Sequence, residues 1–87
     1  MTDDIILSRE EIVKYVVSTG YLRYWEGALN TAMILKSKQC KYAAALNLDS
    51  VIRQYITEVP EDLRKIIGID TSKLEKQVSE ILENPNR

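Results

Sequence analysis

GYLRYWEG, residues 20–27, sets two tyrosines and the chain's one tryptophan between two of its three glycines. The question is whether this stretch is a surface that grips something or a corner of the core. The residues before it form a well-marked helix. Ser8 and Glu11 stand at capping-box spacing, and Leu7 and Ile12 sit where a hydrophobic staple closes over such a cap. From Arg9 to about Thr19 the apolar residues Ile12, Val13, Val16 and Val17 make one stripe, with Tyr15 at its edge. Gly20 then reads as the stop, a residue that takes left-handed backbone at least cost, with Tyr21 folding back toward Val16. A second helix starts near Leu22 and runs to about Lys36. Leu22, Trp25, Ala28/Leu29, Ala32/Met33 and Lys36 share one face, while Arg23, Glu26 and Asn30 lie opposite.

Downstream, a break near Ser37 separates this helix from a third, about 38–58. Ala44, Leu48, Val51, Tyr55 and Val59 form its main stripe, widened by Ala45, Ile52 and Ile56, so it reads as the central helix. Asp49 and Ser50 offer a cap that would kink it. Pro60 suits the first turn of a short fourth helix that packs Leu63, Ile66 and Ile67 inward and stops at Gly68. Asp70 caps a fifth, with Leu74, Val78 and Ile81/Leu82 as its stripe. The expected fold is all-α: one domain over 1–87, a compact bundle of four to five helices with a long central third helix. Residues 1–7 are extended and 84–87 are a frayed tail.

Composition narrows the function. The chain has no histidine, one cysteine and a net charge of −1. Without histidine the commonest general base and metal ligand are missing. One cysteine allows no internal disulfide. A near-zero charge argues against a general polyanion binder. The acidic start MTDDIILSRE is no signal peptide, and no apolar run approaches the ~20 residues of a membrane span. The expectation is a cytoplasmic protein with no cofactor, no metal and no membrane partner.

Adjacent acids (Asp3/Asp4, Glu10/Glu11, Glu61/Asp62) fall at or before helix starts, where the helix dipole favours anions. Side chains next to each other on a helix point about 100° apart and do not converge on a substrate. Cys40, among lysines and without a histidine partner, reads as an ordinary packed residue. No catalytic residue is assigned.

What remains is surface. Arg23, Tyr24 and Trp25 are of the types that dominate interface energetics. Lys36, Lys38 and Lys41 form a basic patch within an acid-free stretch, residues 27–48. These six are the candidate partner-binding residues of a non-enzymatic protein–protein interaction module: an adaptor, inhibitor or regulatory subunit. A homodimer through the second and third helices is a further expectation, since the third helix is apolar over a wide arc. The rival is a nucleic-acid-binding regulator that uses a helix-turn-helix around residues 18–21 or the Lys36–Lys41 patch.

Overall fold

A computed structural model describes residues 6–84. It holds four helices and, among the described residues, no strand: α1 (Arg9–Leu35), α2 (Lys38–Glu58), α3 (Glu61–Ile67) and α4 (Thr71–Glu83). Residues 1–5 of the expected extended start and 85–87 of the expected tail lie outside the described residues.

The principal departure from the sequence reading is at Gly20. The first two expected helices are one helix of 27 residues, about 40 Å long. Gly20 does not adopt left-handed backbone; the described positive-φ positions are Lys36 and Gly68. The reason is packing. Ser18 and Leu22, one turn apart on either side of Gly20, are both buried, so tertiary contact carries the helix through a locally weak residue. Tyr21 accordingly does not fold back and is exposed. The turn of the supposed helix-turn-helix does not exist.

Continuity has a geometric consequence. Val13 and Leu22 are nine residues apart, half a turn out of phase at 100° per residue. The stripe Ile12/Val13/Val16/Val17 and the stripe Leu22/Trp25/Leu29/Ala32 therefore lie on opposite sides of one cylinder. The second is packed inward, although Met33 and Lys36, placed on the same face by the sequence reading, are exposed; all four residues of the first are exposed. Their expected burial is corrected accordingly.

The α1 start is as expected. The Glu11 amide donates to Ser8 Oγ at 3.1 Å, and the Ser8 amide donates to Glu11 Oε1 at 2.9 Å. The α1 end needs no glycine: Lys36 takes left-handed backbone and its amide donates to the Met33 carbonyl. Ser37 caps α2 by accepting from the Cys40 amide at 3.2 Å. α2 is then unbroken; Asp49 pairs with Arg53 at 3.2 Å instead of capping a new helix.

The two-residue corner folds α1 and α2 into an antiparallel hairpin. Its far end is pinned where Ser18 Oγ donates to Glu58 Oε1 at 2.7 Å. α4 lies against α2 with Leu74 and Val78 buried, and Gln77 Nε2 reaches Met33 Sδ on α1 at 3.0 Å. Leu22, Leu29, Ala44, Ala45, Leu48, Ile52, Tyr55, Val59, Leu74 and Val78 make one core cluster.

The expected long third helix is thus the second in the chain, and the third in order is the seven-residue α3. Pro60 stands just before α3 as its cap residue, not inside it. Leu63 and Ile67 pack on the core, but Ile66 points outward at 69% exposure. Gly68 stops the helix at φ 75° and Asp70 caps α4, both as read from sequence.

The molecule is not compact. Its extents are 50 × 20 × 20 Å and its radius of gyration is 14.8 Å, where a compact chain of this length would have about 12 Å. A long helix hairpin with the 13-residue α4 laid along α2 makes a rod, with much of α1 uncovered.

Candidate functional site: the outer face of α1

The uncovered side of α1 is where structure and sequence converge. Seen down the axis, Val13, Val16, Val17, Gly20, Tyr21, Tyr24, Gly27, Thr31, Ile34 and Leu35 share the arc opposite Leu22. None of these is charged. All are exposed: Val16 by 64%, Tyr24 by 66%, Ile34 by 78% and Leu35 by 65%. Scattered surface hydrophobics are ordinary, but one unbroken apolar stripe along a whole helix is not.

The two glycines belong to this stripe. A Cβ added at Gly20 or Gly27 meets nothing within 4 Å, and neither residue has positive φ. Among the described residues nothing requires a glycine at either place, while each costs about 1 kcal/mol of helix stability relative to alanine. Around Gly20 the missing side chain leaves an open groove of about 590 Å³, walled by Val17, Tyr21, Tyr24 and Trp25.

Tyr24 and Trp25 meet edge to face, with ring centroids 5.1 Å apart and planes at 86°. Trp25 is half-buried and packs against the core, so it is both core and groove wall. Tyr24 is surface. A second groove of about 610 Å³ continues from this pair past Thr31 and Leu35 to Cys40 and Ala43 of α2. Cys40 is exposed there, contrary to the expectation that it is packed.

Arg23 lies on the other flank, at the rim of a groove of about 440 Å³ between α1 and α3, lined by Leu7, Ile12, Tyr15, Val16, Leu63 and Ile67. Leu7 and Ile12, the expected staple pair, line this groove together.

The six sequence-derived candidates therefore form two groups. Arg23, Tyr24 and Trp25 cluster at the middle of α1. Lys36, Lys38 and Lys41 sit at the α1–α2 corner, with Lys36 about 18 Å along the axis from Tyr24. Lys36 and Lys38 are exposed and Lys41 is half-buried. Lys38 opens α2, where the helix dipole is positive, so no dipole compensation accounts for it. The sequence reading missed Gly20, Gly27, Thr31, Ile34 and Leu35 and turned Val13, Val16, Val17 and Tyr21 inward. Their signal was present as a four-then-three spacing, Val13, Val17, Gly20, Tyr24, Gly27, Thr31, Ile34. A helix boundary placed at Gly20 cuts that series in two.

The titratable groups are tied into the fold. Glu11 is held below its ordinary carboxylate range by the Ser8 amide. Tyr15 donates to Glu11 Oε2 at 3.3 Å, and desolvation, then the Glu11 charge, push its phenol up. Glu58 is lowered by the Ser18 hydroxyl first and by Gln54 second. Tyr55 is fully buried, its hydroxyl lacks a protein hydrogen-bond partner, and desolvation raises its pKa. Glu61 faces Lys65 at 3.8 Å. Among the described residues no three of His, Cys, Asp or Glu gather as a metal-holding group, and no helix is long and apolar enough to cross a membrane. No family model matches the chain, and no curated protein or solved structure matches it at a significant level.

Proposed function

We propose that this protein is a non-enzymatic, helical protein–protein interaction module, an adaptor or regulatory subunit, and that it binds through the outer face of α1. The carrying observation is the uncharged apolar stripe from Val13 to Leu35, which stands exposed among the described residues. Burying such a face is the dominant favourable term in association. A helical stripe with anchors at three- and four-residue spacing suits docking against another helix. Tyr24 and Trp25 are the aromatic anchors. Arg23 on one flank and the Lys36–Lys41 corner at one end supply the charges that steer partner choice and association rate.

The test is a pair of charged substitutions on exposed positions, Val16→Lys with Tyr24→Lys. The helical circular dichroism signal should be unchanged, and capture of a nuclease-resistant protein partner from the native cell should be lost. Capture undiminished by the double variant would remove α1 from the role. The nucleic-acid reading retains only the lysine corner, since the helix-turn-helix is absent. Steeply salt-dependent retention on immobilised DNA, abolished by Lys36→Glu with Lys38→Glu, would favour it instead.

A further inference from the structure

Taking the outer face of α1 as the interaction surface proposed above, we infer that its occupant is a second copy of this chain, lying antiparallel across it. Three features of the face specify this partner.

The first is area. With ordinary side-chain surfaces, the exposed apolar fractions along the face amount to on the order of 700 Å² per copy, close to the ~800 Å² each partner contributes to a standard interface and above the ~300–600 Å² patch of a typical monomer. One helix against its own copy covers the stripe from Val16 to Leu35, and a symmetric pair closes on itself.

The second is relief. Val17, Gly20, Tyr24, Gly27, Thr31 and Ile34 alternate steps of three and four, the period at which two helices stay in contact along their length. In a parallel pair each residue meets itself: Tyr24 against the partner's Tyr24 forces the helices apart, and both glycine layers are left as voids. Antiparallel, with the two-fold axis between Tyr24 and Gly27, each Tyr24 ring seats on the partner's Gly27. Gly20 meets the partner's Thr31, and Val17 meets the partner's Ile34. Every large residue faces a small one or an aliphatic one. The two glycines, which the monomer does not need, become the sockets.

The third is charge. In that register Arg23 flanks the partner's Asn30, and the aliphatic stem of Lys14 lies along the partner's Leu35. The two helix dipoles oppose.

The experiment has two arms. Light scattering across a concentration series should give twice the chain's 10.0 kDa. Tyr24→Lys should return the mass to one copy with helicity retained, because that side chain is exposed in the monomer. Orientation is read by disulfide capture in a Cys40→Ser background. Gly20→Cys and Thr31→Cys proteins should each fail to cross-link alone and should cross-link when mixed; homodimer cross-linking of either one alone is the parallel outcome and overturns the register. A monomeric mass throughout the series overturns self-pairing. So does partitioning of the monomer onto neutral lipid vesicles that Tyr24→Lys abolishes. If the protein is monomeric while Val16→Lys with Tyr24→Lys still abolishes capture of a different protein, self-pairing fails and the interaction-module reading stands.

Discussion

At the scale of single residues, the Ser18–Glu58 hydrogen bond is the most informative contact, because it joins the N-terminal half of α1 to the last residue of α2 across 40 positions. Ser18 is a polar residue on the buried side of α1, at 2% exposure, so its hydroxyl must find a partner, and Glu58 provides one. The bond favours the ionised carboxylate and lowers its pKa below the ordinary 4.5. A group whose pKa is lower folded than unfolded contributes stability that is fully present above the unfolded value and is lost as pH falls through the folded one. Ser18→Ala should therefore be less stable than the parent at neutral pH, and the gap should narrow as pH drops below about 4. Urea melts of both proteins at pH 7 and near pH 3 measure it. A gap that does not change with pH would mean that the serine acts by packing and not through the carboxylate. Nothing in the sequence pairs these two residues; a serine among valines carries no signal until its helix has been placed against another.

At the scale of elements, the helices that were legible are those whose ends carry chemistry as well as pattern. Ser8 with Glu11, Ser37, Gly68 and Asp70 each satisfy an orphan backbone group, and each was readable as a boundary. Gly20 was misread because glycine serves both as a stop and as a helical residue of weak propensity, and only the α2 surface, by burying Ser18 and Leu22, decides between them. The consequence reached the site: with α1 split, both of its stripes could be turned inward; with α1 whole, one must face out. Glycine chemistry gives the matching prediction. In a Tyr24→Lys background, where any pairing through the face is removed, Gly20→Ala and Gly27→Ala should each stabilise the fold by about 0.5–1 kcal/mol, several degrees in Tm, because helical backbone and open space await the new methyl. Gly68→Ala should move Tm the other way, since Gly68 holds φ at +75°. Thermal melts of the three variants test both signs; destabilisation by Gly20→Ala or Gly27→Ala would show that α1 is not helical there or that the space is taken.

At the scale of the whole molecule, composition foretold an all-helical chain but not a rod, because compactness depends on how many helices share a core. Residues 9–35 form one element and α3 is only seven residues long, so the core is a single seam between α1 and α2 that α4 covers from one side. Leu48 sits fully buried in that seam, within the one cluster that includes residues of α1, α2 and α4. A chain of this size has only about 5–15 kcal/mol of stability to lose. Leu48→Ala should cost about 2–5 kcal/mol, a large part of it, through lost burial and the cavity left behind. Leu46→Ala, one turn-fraction away and half exposed, should cost little. Because Trp25 packs against the same cluster as Leu48, its fluorescence and the helical dichroism should report one transition, displaced equally by Leu48→Ala. Two separated transitions would mean that α4 or the N-terminal half of α1 melts on its own. The seam would then be two cores, and the apolar face of α1 would be supported by a hairpin too loose to present it.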